Sequence, residues 1–385
     1  MNPHQSNERL KTISARNAKP AHRGYAPTMR TGFWAQGSRA SAQRPNWTVI
    51  LGGITTLFLT LNATSAQSDA AGDAFLSTLG LKRGQLSQLK SGVLVESLPV
   101  DHPKRENALV GVVRVNSTSD ELLKHGTQIW QALMDSPTIS GEYDPNRGDQ
   151  SFAALALPSD DFELLEECRT GQCRFKLDER GIQTAQGIDW SKPEAEQVFL
   201  AEYQSQLAEI MSVYQEKGTA GLTKYADKPK ATERAETVRD LEAGAQAWLQ
   251  FYPSLAQRLT DHPEESADDL AERFQWKIAS VGLRDTLVLE HVVFAKTGDV
   301  AGFGNAIAIR TLYASHYLEA RVQIAMIVEG TTLFGVPGRF LFMMERVRFD
   351  EDLGFLNRKL LARALRGRTR ERLKEVESAI AKQGQ

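Results

Sequence analysis

Five extended runs, each closed by a turn bearing glycine or proline, fill the stretch from Phe274 to Phe349 and limit the possible folds more than any other feature. They are Phe274–Ser280, Thr286–Lys296, Asn305–Tyr317, Glu319–Glu329 and Arg339–Phe349, with Gly282, Gly298, Gly302, Gly304, Gly330, Gly335, Pro337 and Gly338 in the turns. Consecutive strands with connections this short pair antiparallel, because a parallel neighbour needs a long crossover. From Asp352 onward the pattern becomes helical, with Leu353, Leu356, Leu360, Ala364 and Leu365 on one face. Val93–Leu98 and Ala108–Val115 read as two earlier strands. After them, Asn116–Glu121 offers caps for a helix starting at Leu122.

The middle of the chain is helical. Ser191 and Glu194 match a capping box, with Pro193 in the first turn, and Phe199, Tyr203, Leu207, Ile210, Met211 and Tyr214 follow at helical spacing up to Gly218. A second helix carries Val238, Leu241, Ala245, Trp248, Leu249 and Tyr252 on one face, and Pro253 interrupts it. Such stripes are core-packing faces. A short helical lead-in, Ala74–Leu81 and Gln85–Leu89, stops at Gly92. The expected fold is α+β, a curved antiparallel sheet with a long C-terminal helix, in one domain over residues 70–385 with a mainly helical insertion at about 145–270.

The first 46 residues hold eight Lys/Arg against one acid, Glu8, and an uncharged apolar run spans Trp47 to Leu61 before Asn62-Ala63-Thr64-Ser65-Ala66. A basic region, a short apolar stretch and a small-residue exit together resemble a secretory signal peptide, with cleavage expected after Ala66 and export to the periplasm or beyond. The run is shorter than the ~20 residues a spanning helix needs. The alternative is an uncleaved inner-membrane anchor over residues 47–61 with the basic arm held inside. The basic arm is long for a signal, and translation from Met29 instead of Met1 would shorten it. The full chain carries −2 and the arm +7, so residues 67–385 carry −9, which disfavours nucleic acid as a partner.

Export sets the reading of Cys168 and Cys173, which have four residues between them, including Gly171. In an oxidising compartment this spacing suits a disulfide closing a small loop, which contributes about 2 kcal/mol in the chain-entropy model. A redox pair commonly has two intervening residues, and half a zinc site would lack its second pair.

The order of elements resembles the START-like, or helix-grip, superfamily. The residues that carry the likeness are Ser91-Gly92-Val93-Leu94-Val95-Glu96, Leu109-Val110-Gly111-Val112-Val113-Arg114-Val115-Asn116, the late strand run and Asp352–Ile380. The chain also looks like a set of exported bacterial proteins of uncharacterised function at Cys168–Leu177, Tyr313–Tyr317 and Gly354–Arg370. The START-like resemblance implies a sheet curling around its final helix and leaving an apolar cavity for a lipid-like small molecule. It transfers no catalytic residue, and the block at 145–270 departs from a minimal domain of this kind.

Candidate ligand-binding residues lie on the late strands. Alternation puts Arg310, Leu312, Ala314 and His316 on one face and Thr311, Tyr313, Ser315 and Tyr317 on the other, and makes Glu290 and His291 point opposite ways. Arg310, His316 and one of Glu290 or His291, gathered in a cavity, would bind an anionic headgroup or perform acid–base work. The alternative is exterior positions or satisfied internal hydrogen bonds. The last strand puts Arg346 and Arg348 on one face with Phe340, Phe342 and Met344. No H-E-x-x-H, G-x-S-x-G or G-x-x-x-x-G-K-[ST] occurs, so no catalytic residue, metal or cofactor is expected. Two other readings remain: a cyclase- or hydrolase-like enzyme with His316 or His291 as base, and an envelope protein that docks a partner through its helical middle. The final helix carries Arg358, Lys359, Arg363, Arg366, Arg368, Arg370, Arg372 and Lys374 with only Glu371 among them. That run is either a solvated face favoured by the helix dipole or, through Arg363, Arg366 and Arg370, a peripheral contact with anionic membrane.

Overall fold

The computed structural model describes residues 72–89, 92–115, 139–260, 269–280, 284–296 and 302–381. By contacts the chain divides into Met1–Ile54 and Thr55–Gln385, and every described residue belongs to the second unit. The basic arm, the apolar run with its cleavage site, and the helix expected after Asn116 lie outside the described residues. No helix among the described residues is long and apolar enough to cross a membrane.

Alternating and β-branched runs form eight strands: β1 Val93–Ser97, β2 Glu106–Val115, β3 Ile139–Glu142, β4 Leu270–Ser280, β5 Asp285–Ala295, β6 Phe303–Ala314, β7 Leu318–Glu329 and β8 Arg339–Phe349. They make one curved, open, antiparallel sheet in the order β1-β2-β8-β7-β6-β5-β4-β3. From β3 to β8 each strand pairs with the next in sequence, as short connections require, and β2 returns to pair with β8 over Glu106↔Arg348 to Val115↔Arg339.

One face of the sheet is covered by the helical middle, whose long helix Ala195–Lys217 buries Phe199, Tyr203, Leu207, Met211 and Tyr214. The capping box does not form. Ser191 turns back to donate to Asp189 (Oγ–Oδ1 2.7 Å), and the helix begins after Glu194 without a side-chain cap. The second helix is three pieces, Arg234–Ala243, Gln246–Leu249 and Pro253–Thr260. Its first break is at Gly244 rather than Pro253. There Arg346 from β8 donates to the Gly244 carbonyl (3.0 Å), and a Cβ on Gly244 would stand 2.3 Å from the guanidinium carbon. Proline opens the third piece, a position helices tolerate because the first turn needs no N–H partner.

The opposite face carries the terminal helix, Phe355–Ala381. Leu373 and Val376 are buried against Val113, Ile307, Ile309 and Met343, while Leu361 and Leu365 rest on Val288, Ala314 and Val347. Gly111 makes the close approach possible: a Cβ there would lie 2.4 Å from Leu373 Cδ1 and 3.0 Å from Thr369 Cγ2.

With both faces covered, the polar half of the strand alternation does not reach water. Glu290, fully buried, accepts from Gln275 (2.8 Å) and pairs with Lys277 (3.0 Å) and Arg321 (2.7 Å). Arg321 continues to Glu345 (3.5 Å), which meets Arg372 of the terminal helix (3.9 Å). Burial on its own would raise the Glu290 carboxyl, but Lys277 and Arg321 outweigh it and hold it at about 2. Glu272 is likewise at about 2, its burial overcome by hydrogen bonds from His291 and Arg258. A carboxyl depressed on folding contributes stability above its unfolded value near 4.5, and loses it as pH falls toward 2. Urea titrations across pH 5 to 2 are therefore expected to show a steep loss of stability, on the order of 3 kcal/mol for the fully buried Glu290. E290Q should flatten that slope, and an unchanged slope in E290Q would contradict the assignment.

Candidate functional site

The sequence candidates divide among four places. A bulge between Leu289 and Glu290 lets Leu312 and Tyr313 both enter the core beneath the helical middle, so Tyr313 shares the face of Arg310 instead of opposing it. Arg310 donates to Tyr214 Oη (2.6 Å) and Thr219 Oγ1 (2.8 Å), and also reaches Glu242 and the Leu259 carbonyl. His291, its cross-strand partner, meets Tyr214 Oη through Nδ1 (3.0 Å) and Glu272 through Nε2 (2.9 Å), with Phe274 stacked on its ring. This buried network ties three insertion helices to β5 and β6. Glu290 points to the other face, as alternation requires. Tyr313 accepts from Tyr203 Oη (2.8 Å) and donates to the Lys176 carbonyl (2.5 Å). His316 lies beyond the end of β6, so it does not share a cavity with Arg310.

Two clefts of about 320 Å³ each open on either side of the segment Phe349–Leu353, which lines both. The first is polar. Cys173, Arg174, Asp227, Lys228, Arg284, His316, Tyr317 and Asp350 reach it. His316 Nε2 contacts Asp161 Oδ1 at 2.9 Å, both groups being buried, and Phe175 packs edge-on against the imidazole. Tyr317 has φ +57°, the left-handed turn that swings the chain from β6 into β7 and lets its carbonyl accept from Asp350 N (2.9 Å). Behind the wall lies Lys176, buried, with Nζ 3.7 Å from Asp350, 4.0 Å from Asp227 and 4.3 Å from the Tyr225 ring centroid. Burial pushes the Asp227 carboxyl up, and Lys176 offsets part of that rise. A disulfide joins Cys168 and Cys173, as expected, and its loop docks through Gly171 N on the Ala226 carbonyl (2.8 Å). The buried imidazole and carboxylate orient each other, and no serine, threonine or free thiol lines this cleft among the described residues.

The second cleft lies between the first turns of the terminal helix and the segment joining β1 to β2. Leu98, Val100, Ala108, Phe349, Leu353, Phe355, Leu361 and Ala362 give it apolar walls, and Lys104, Arg358 and Lys359 stand on its rim. Arg358 donates to the Pro103 carbonyl (3.0 Å), pinning the helix to the far wall.

Asp161, Lys176, Asp227, Lys104 and Asp350 stand in no motif that marks them in the sequence. The one signal at hand was an acidic pair, Asp160-Asp161, opening the helix Ser159–Glu166, a segment with weak amphipathic spacing. Among the described residues no cluster of three or more His, Cys, Asp or Glu could hold a metal ion. Comparison of the chain with family models, curated protein sequences and solved structures gives no match.

Proposed function

We propose that this is an exported START-like protein that binds an apolar or lipid-like small molecule. The observation that carries the reading is the second cleft, where the terminal helix and the sheet part to leave apolar walls under a cationic rim. An acyl or polycyclic body would lie against Leu98, Leu353, Phe355 and Leu361, and an acidic head would meet Lys104, Arg358 or Lys359. The volume is at the low end for small-molecule sites and fits a ligand only partly enclosed. The helix-grip assignment is supported by the return of β2 to β8 and by the terminal helix laid across one face of a single antiparallel sheet. Export is supported by the disulfide and by the basic and apolar pattern ahead of residue 67.

Ala362 lines this cleft from the terminal helix, so Ala362→Trp fills it from a partly exposed position. Native mass spectrometry and solvent extraction of the purified protein should find a lipid-like molecule in the wild type. Its occupancy should fall about tenfold or more in A362W, as expected when a side chain takes the ligand's space, with the thermal midpoint kept. Equal occupancy in both proteins would sink the assignment.

A second reading has one observation in its favour, the buried His316–Asp161 pair beside the first cleft. With no serine, threonine or free thiol among its described lining residues, such an enzyme would act by water or substrate deprotonation. The helical middle offers little for partner docking: Val198 is its one large apolar side chain exposed among the described residues.

A further inference from the structure

We infer that the outward face of the first four turns of the terminal helix is a docking surface for an anionic lipid bilayer. Phe355, Leu356 and Leu360 are 65%, 67% and 58% exposed, and apart from Val198 they are the large apolar side chains left in solvent among the described residues. They cluster at the start of one helix, where chance exposure of single residues would scatter them. Helical spacing continues the stripe from Leu356 and Leu360 through Arg363, Gly367, Arg370 and Lys374. Lys359 and Arg366 flank it, and all these cations are exposed. Residues 355–370 contain six cations and no acid. Lys359 Nζ sits 4.3 Å from the Phe355 ring centroid, and neither it nor Arg363, Arg366, Arg370 or Lys374 forms an ion pair among the described residues.

An apolar wedge beside unpaired cations matches the two layers of an anionic membrane surface, acyl chains below and phosphates above. Nucleic acid would satisfy the cations but leave the wedge in water. The net −9 of residues 67–385 repels an anionic surface from other directions, so this face sets the orientation of approach. The inference goes beyond ligand binding and does not depend on it. If both hold, the cleft opens beside the bilayer, because Phe355 and Lys359 belong to both surfaces.

The test places an environment-sensitive fluorophore at Leu356→Cys in the full chain, with the same probe at Ser205→Cys, exposed on the central helix, as control. Vesicles of phosphatidylcholine with phosphatidylglycerol should blue-shift the probe at 356 and leave the one at 205 unchanged. Because the probe reports its own surroundings, vesicle contact through the basic arm does not reproduce the shift. R363E/R366E/R370E should raise the lipid concentration for half-maximal shift by at least about 100-fold, at about 1 kcal/mol per cation lost near the surface. No shift, an equal shift on phosphatidylcholine alone, or a shift indifferent to charge reversal would overturn the proposal. A blue shift that grows with protein concentration without vesicles would overturn it in favour of a second copy of the chain. Loss of the cleft ligand in A362W leaves these results untouched, so the two proposals fail separately.

Discussion

Glu290→Ala is expected to lower the unfolding free energy by about 3–5 kcal/mol, the range for breaking a buried ion pair by removing one partner. The carboxylate stands between Lys277 and Arg321 under the terminal helix, with all three side chains almost fully buried. Burial lowers the Lys277 ammonium pKa and Glu290 partly restores it, so removing Glu290 leaves a buried cation with less of its compensation. The triple replacement K277M/E290L/R321M should cost less than E290A alone, since it removes three charges together, keeps apolar volume and leaves Glu345 its Arg372 partner. Urea denaturation of the three proteins tests this. A triple variant less stable than E290A would show that the network contributes net stability beyond mutual compensation.

Phe75→Ala should cost a similar amount, about 3–5 kcal/mol for truncating a buried phenylalanine. Phe75 is fully buried in the helical stretch 72–78, with its ring 5.1 Å from Phe342, 5.4 Å from Phe303, and 5.5 Å from both Trp248 and Phe251. Those partners come from β8, β6 and the helical middle, so one side chain fastens the start of the domain to both of its halves. Phe75→Leu should recover much of the loss, because it refills most of the volume without the edge-to-face contacts. A thermal midpoint unchanged in F75A would contradict this packing.

The strands were legible because their chemistry is local. Alternation and β-branching from Phe274 to Phe349 name the last five strands within a few residues, and the Phe340, Phe342, Met344, Arg346 and Arg348 face is the one that meets the helical middle. What alternation hid is that the polar face also lies inside. Glu290 reads as a ligand-binding candidate, and nothing in the pattern joins it to Arg321 and Glu345, yet the three form one row beneath the terminal helix. The bulge that turns Tyr313 toward Arg310 leaves no mark in the sequence, since the extra residue is defined only by its partner strand. β3, four residues long, and the helices Ser159–Glu166 and Glu179–Gly187 are too short to show a period. Neither cleft was legible, because each joins segments far apart in the chain: Leu98–Ala108 with Phe349–Ala362, and Cys173–Arg174 with Asp227–Lys228 and His316–Tyr317.

The proposed ligand site is tested most directly by photo-crosslinking a diazirine-bearing fatty acid to the purified full chain and mapping the adducts by peptide mass spectrometry. Adducts on the peptides containing residues 97–108 and 349–362, diminished in A362W, are the expected result. Adducts confined to the first cleft, around Cys173, Asp227 and His316, or labelling equal in wild type and A362W, would contradict it.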